Sequence, residues 1–237
     1  MDRITRKELK TDKFAEEVSH SLEFVAEHRK QAKLYGGIAA AVLIAGLGGY
    51  SFFTSRAAER QADLSRALEA KEGVVGAAPQ PGDPRRSFLT QADKDKAVTA
   101  AFNDVVKKWS GTDEAAMAHF QLGVMAADEG KLDEAGRHFQ AAIRDGGRET
   151  ASVAKLSLAQ VYQATNKNGE AEKLYRELIA NPTVLVSKEQ ATWALARMLA
   201  TSNPAEARKL VQAYEKDDRP AIARAAAVLL QELPAAK

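Results

Sequence analysis

Four histidines, His20, His28, His119 and His138, are the side chains of this 237-residue chain best suited to proton transfer or metal ligation near neutral pH. Cysteine is absent, which removes a thiol nucleophile, a thiolate metal site, a disulfide framework and an attachment cysteine for lipid. His20 and His28 stand eight residues apart in a stretch of helical composition and face solvent. His119 and His138 fall on opposite helices of one expected hairpin, where they can approach each other. Two histidines with no carboxylate or cysteine placed beside them make a poor metal site, and ordinary surface or packing roles account for them. The chain carries no G-x-S-x-G, phosphate loop, H-E-x-x-H or dinucleotide fingerprint. Asp2, Asp12 and the glutamates are scattered along exposed helix faces, and Gly146-Gly147 reads as a helix stop. The expectation is therefore a chain with no catalytic, cofactor-binding or metal site, and no cofactor.

Composition says which elements such a chain builds. The 34 basic and 32 acidic residues nearly cancel, so no strong field draws nucleic acid. Ala, Leu, Glu, Lys, Arg and Gln dominate, which favours helix throughout and an all-α fold.

The run from Leu34 to Ser55 holds 22 residues without a charge. As a helix it reaches roughly 33 Å, enough for a hydrocarbon core of about 30 Å. A soluble core helix of that length keeps a polar stripe, and this one has none. Arg29, Lys30 and Lys33 precede it, Arg56 and Arg60 follow it, and Tyr35, Tyr50, Phe52 and Phe53 sit near its ends, where the interface accepts aromatic rings. The 33 residues before it, seven of them acidic, and the absence of a close A-x-A site argue against a cleaved signal. The expectation is a single-pass signal anchor over 34–55. The basic tail (Arg3, Arg6, Lys7, Lys10, Lys13) favours an N-terminus inside and the rest of the chain outside.

Within the span, Gly37, Ala41, Ala45 and Gly49 form a small-residue stripe at spacings of four. Such a stripe lets another helix approach closely, as homo-oligomer or within a membrane complex. Residues 1–33 read as an amphipathic tail whose apolar face is Phe14, Val18, Leu22 and Val25. Residues 56–92 read as a juxtamembrane helix and a Pro/Gly-rich loop containing Pro79, Pro81 and Pro84. Helix resumes near Gln91 behind Thr90, with Asp93 three residues on as a weakened capping box. The stretches 57–71 and 91–109 could pair as an irregular leading hairpin.

From 93 to 237 the chain repeats. Leu122, Gly123, Ala126, Ala135, Phe139 and Ala142 return as Leu158, Ala159, Tyr162, Ala171, Tyr175 and Leu178, all at an offset of 36. This is the spacing of the tetratricopeptide repeat, a helical hairpin of about 34 residues. Repeats are expected at about 116–149 and 152–185. A looser copy at 189–219 fits with a turn one residue shorter (Leu195, Ala196, Leu199, then Ala207, Val211, Tyr214), and a capping helix follows at 220–233.

Stacked hairpins make a solenoid whose concave face comes from the first helix of each unit. The expected lining is Met117, Phe120, Gln121 and Val124, then Val153, Leu156, Gln160 and Gln163, then Trp193 and Arg197. It is mostly apolar with amides and a single cation, Arg197, which suits extended or helical polypeptide held by apolar contact. The alternative is that these side chains pack on neighbouring helices, or that the chain's own first hairpin fills the groove.

The anchor position together with SGTDEAAMAHFQLG (110–123) and GKLDEAGRHFQAAI (130–143) resembles the ancillary translocon-associated family of bacterial inner-membrane proteins. The resemblance covers roughly 14 to 230 and implies a periplasmic repeat domain beside the Sec machinery, helping exported polypeptides reach chaperones. The Pro-rich insertion and the long tail depart from the family and leave the partner open. Two functions compete: a membrane-tethered scaffold that binds protein partners, and a structural accessory subunit recruited through its transmembrane helix.

Overall fold

The computed structural model describes residues 29–76 and 86–235. The expected tail helix on Phe14, Val18, Leu22 and Val25, together with His20, His28 and the three loop prolines, lies outside the described residues. The chain divides into two units, 1–58 and 59–237, and the first helix, α1 (Arg29–Lys71), has residues in both.

In the first unit the apolar run is uncovered among the described residues. Leu34, Ile38, Val42, Ile44, Leu47 and Phe53 are all more than half exposed, the arrangement expected where lipid is the solvent. Among the described residues one helix is long and apolar enough to cross a membrane, and its apolar window buries nothing. At the C-terminal end of the run the Arg56 guanidinium stands 5.3 Å over the Phe52 ring, a pairing of cation and aromatic suited to a headgroup layer. Gly37, Ala41 and Ala45 are exposed. A methyl group built on Gly37 or Gly49 would meet no neighbour within 4 Å.

In the second unit the last turns of α1 lay Leu64, Ala67, Leu68 and Ala70 against Val98, Phe102 and Val105 of α2 (Gln91–Lys108) and against Trp109. Asp63 fastens this pair: its carboxylate accepts from the Trp109 indole at 2.8 Å, from Lys108 at 2.9 Å and from Arg66. The Lys108 hydrogen bond and then the Trp109 one hold the carboxyl below its ordinary value. The neck of the Pro-rich loop is closed by two short strands, β1 (Val74–Val75) and β2 (Ser87–Phe88), paired parallel. Gly73 precedes them because a Cβ there would lie 2.5 Å from Phe88 Cε2. At the start of α2 the Thr90 hydroxyl accepts from the Asp93 amide at 3.1 Å, the expected cap.

Six helices follow as successive antiparallel neighbours. They are α3 (Asp113–Asp128), α4 (Leu132–Asp145), α5 (Arg148–Ala164), α6 (Asn168–Ala180), α7 (Lys188–Leu199) and α8 (Pro204–Gln212), and α9 (Pro220–Glu232) closes the stack. Each packs chiefly on its chain neighbours, and α3 also touches α5, the signature of a solenoid. The twelve residues matched at offset 36 are all buried except Tyr162, which is half-buried. At Gly123 the Phe139 ring of α4 lies against the α3 backbone: a Cβ there would stand 2.7 Å from Phe139 Cε1.

The turns repeat as faithfully as the helices. Gly130 at φ 76° and Asn166 at φ 58° are the same position one repeat apart, both left-handed. After each, the next amide donates five residues back, Lys131 to Ala126 at 2.8 Å and Lys167 to Tyr162 at 2.7 Å. Both helices thus end in a Schellman turn. The third copy buries Leu195, Ala196, Leu199, Ala207 and Val211, and Ala226, Leu229, Leu230 and Leu233 join the same core.

Candidate functional site

Helices α3, α5 and α7 each offer an equivalent pair of positions one turn apart. The first row is Phe120, Leu156 and Trp193; the second is Val124, Gln160 and Arg197. Three depressions run along these rows. One of about 300 Å³ lies between Val124, Leu132, Phe139 and Gln160. The next, about 370 Å³, is lined by Leu156, Gln160, Gln190, Trp193, Arg197 and Ile222. The third, about 400 Å³, lies between Trp193, Arg197, Arg224, Val228 and Glu232. Gln160 belongs to the first two, and Trp193 and Arg197 to the last two, so the depressions share walls and form one elongated trough.

The ten expected lining residues divide by what they touch. Val124, Leu156, Gln160, Trp193 and Arg197 line the trough. Gln160 and Arg197 are exposed. The Arg197 guanidinium lies 3.9 Å from the Glu232 carboxylate with both largely in water, a weak pairing. Trp193 also meets Tyr214 edge to face, with ring centroids 4.9 Å apart.

Other positions are held by the chain itself. Phe120 tilts against Phe139 at 5.8 Å. Gln121 accepts from Lys71 Nζ at 2.6 Å, so the end of α1 reaches the first repeat. Gln163 accepts from the Tyr175 hydroxyl at 2.6 Å, and burial pushes that phenol up to about 12. Val153 packs beside Leu178, Val186 and Ala191, and Met117 is half-buried. Sequence reasoning missed Ile222, Arg224 and Val228, since α9 read only as a cap. Their spacing along α9 was the available signal.

His119 and His138 do meet. Their Nδ1 atoms are 3.0 Å apart across the α3–α4 hairpin, so one ring donates and the other accepts. Burial lowers both pKa values, and the neighbouring imidazole lowers that of His119 further. Glu134 stands 3.9 Å from His138 Nε2. Among the described residues no group of three or more His, Cys, Asp or Glu could hold a metal ion. The pair is a neutral hydrogen bond across the hairpin.

No curated protein matches the chain. A family model, the tetratricopeptide repeat-like domain, matches residues 28–183, well over half of the sequence. The match runs from the start of α1 through the second repeat and stops short of the looser third copy. A fold of this kind is typically a scaffold for protein–protein interaction rather than an enzyme. With its matched buried positions, its recurring left-handed turns and its stacked hairpins, the chain belongs to the tetratricopeptide repeat-like domain family.

Proposed function

We propose that this chain is a single-pass bacterial inner-membrane protein whose repeat domain, on the periplasmic side, receives segments of exported polypeptides beside the Sec translocon and passes them to chaperones. The observation that carries this reading is the elongated trough, in which apolar walls (Val124, Leu156, Trp193) alternate with the exposed Gln160 carboxamide and the Arg197 guanidinium. Apolar walls hold side chains without demanding a sequence, and an amide can both donate to and accept from a peptide backbone. The uncovered apolar run of α1 supports the tether, which raises the effective concentration of a weak binder at the membrane.

A second reading is a structural accessory subunit held in a membrane complex through the Gly37, Ala41, Ala45 and Gly49 stripe; the open space above Gly37 and Gly49 favours it. Site-specific photocrosslinking in native membranes separates the two. A photoreactive residue at Gln160 or Arg197 should give polypeptide adducts that the same residue at exposed Arg137 does not. Adducts absent at both trough positions, with all partners lost only in Gly37→Leu/Gly49→Leu, would establish the second reading instead.

A further inference from the structure

A second groove, of about 920 Å³, lies between the second helices of successive hairpins and the start of α7. Its apolar lining is Ile179 from α6, Leu210 and Ala213 from α8, and Tyr214. It shares only Glu189 with the trough. Ile179 near the end of α6 and Lys188 at the start of α7 both line it, so the connecting loop, 181–187, leads along its end. That loop is held firmly: Pro182 O accepts from Arg148 at 2.7 Å, Thr183 and Val186 bond each other at 2.9 and 3.0 Å, and Ser152 bonds Thr183 at 2.8 Å. Yet it presents Val184, 92 % exposed, and Leu185, 51 % exposed, to solvent. Apolar side chains fixed in water beside an apolar groove mark a docking surface, because little further ordering is needed on binding.

The rim says what kind of partner fits. Glu189 and Asp217 both bind Arg219, and Glu206 binds Arg176, so each rim carboxylate already has a guanidinium. Lys188 and Lys209, both exposed, form no ion pair among the described residues. The unmet groups are therefore cationic donors flanking an apolar floor. A helix about 10 Å across and four turns long displaces roughly 1,700 Å³, and half of that volume fits the groove. We propose that this groove docks an amphipathic protein helix whose apolar stripe is flanked by carboxylates that reach Lys188 and Lys209. This goes beyond the trough reading and does not depend on it.

The test uses the full chain in lipid nanodiscs and two fluorescein-labelled synthetic 16-residue amphipathic helices. The two share a leucine stripe, flanked by glutamate in one and by lysine in the other. Fluorescence anisotropy should show the glutamate peptide binding at least tenfold more tightly, a preference that shrinks as salt rises. Lys188→Glu/Lys209→Glu changes only exposed side chains and should reverse the preference, while Gln160→Arg in the trough should leave it intact. The proposal is overturned if the two peptides bind equally, if the lysine reversal changes nothing, or if Gln160→Arg removes binding. It is also overturned if a proline-interrupted glutamate peptide binds as well as the helical one. Concentration-dependent self-association that Leu210→Asp abolishes would overturn it too, by making a second copy the occupant.

Discussion

Substituting Gly123 by Ala places a methyl group where the Phe139 ring of α4 lies against the α3 backbone. The new Cβ would stand 2.7 Å from Phe139 Cε1 and 2.8 Å from Cδ1, against a comfortable carbon–carbon separation of about 3.5 Å or more. Phe139 is 2 % exposed, and Phe120 stands 5.8 Å away on one side, so the ring cannot swing clear. Overpacking of this kind costs about 1–3 kcal/mol. Replacing glycine in a helix interior returns about 1 kcal/mol. The net expectation is a loss of up to about 2 kcal/mol, or a melting temperature lower by up to roughly 8 °C. Gly136→Ala in the same hairpin is the control, because its Cβ would lie 3.8 Å from Val161 Cγ1 and 3.9 Å from Leu158 Cδ1, ordinary contacts. It should stabilise by about 0.5–1 kcal/mol. Thermal melts of the two variants, followed by circular dichroism in the same detergent, should move in opposite directions. In a Phe139→Leu background the Gly123→Ala penalty should shrink. If Gly123→Ala melts at or above the parent temperature, the packing argument is wrong.

The histidine pair makes stability depend on pH with a defined sign. Both imidazoles bind protons more weakly in the folded chain than at their ordinary value of 6.5, with Asp145 and Arg144 facing His119 and Glu134 and Arg137 facing His138. The unfolded chain therefore gains more protons on acidification. Stability is complete above about 6.5 and falls as pH drops through it; melts from pH 7.5 to 5 should show a decline that His138→Asn reduces. Asn166→Gly relieves a side chain at φ 58° and should be neutral or slightly stabilising, whereas Asn166→Ala should cost about 1 kcal/mol in denaturant titrations. Asp63→Ala strips the Trp109 indole and Lys108 of their acceptor and should cost about 1 kcal/mol, modest because Lys108 and Arg66 remain in water. A red shift in Trp109 emission would accompany it, best read in a Trp193→Phe background.

Much of the fold was written in residue type and spacing. The offset of 36 fixed which positions are buried, because every hairpin meets the same neighbours, and the uncharged run marked out a helix long and apolar enough to cross a membrane. Thr90 announced a helix start and caps it as expected, while Thr112 caps α3 without having been singled out. The equivalence of Gly130 and Asn166 was also present but hidden, since the left-handed conformation shows in dihedral angles rather than in hydrophobicity. The trough was half legible. Spacing along one helix identifies a face, yet it does not say whether a side chain there is spent on a neighbour, as Gln121 is on Lys71 and Gln163 on Tyr175. Nor does it show that a closing helix will contribute Ile222 and Arg224 to the same surface. The β1–β2 pairing escaped notice because two residues per strand carry no alternation to detect.

The absence of cysteine makes the tethered arrangement directly measurable. Single cysteines, Lys13→Cys in the tail and Ser202→Cys in the exposed turn before α8, can be probed in intact spheroplasts with a membrane-impermeant maleimide. The account requires that Ser202→Cys is labelled at once, that Lys13→Cys is labelled only after the membrane is opened, and that both proteins stay in the membrane pellet at alkaline pH. Equal labelling of the two sites before opening, or release of the chain into the alkaline supernatant, would contradict it.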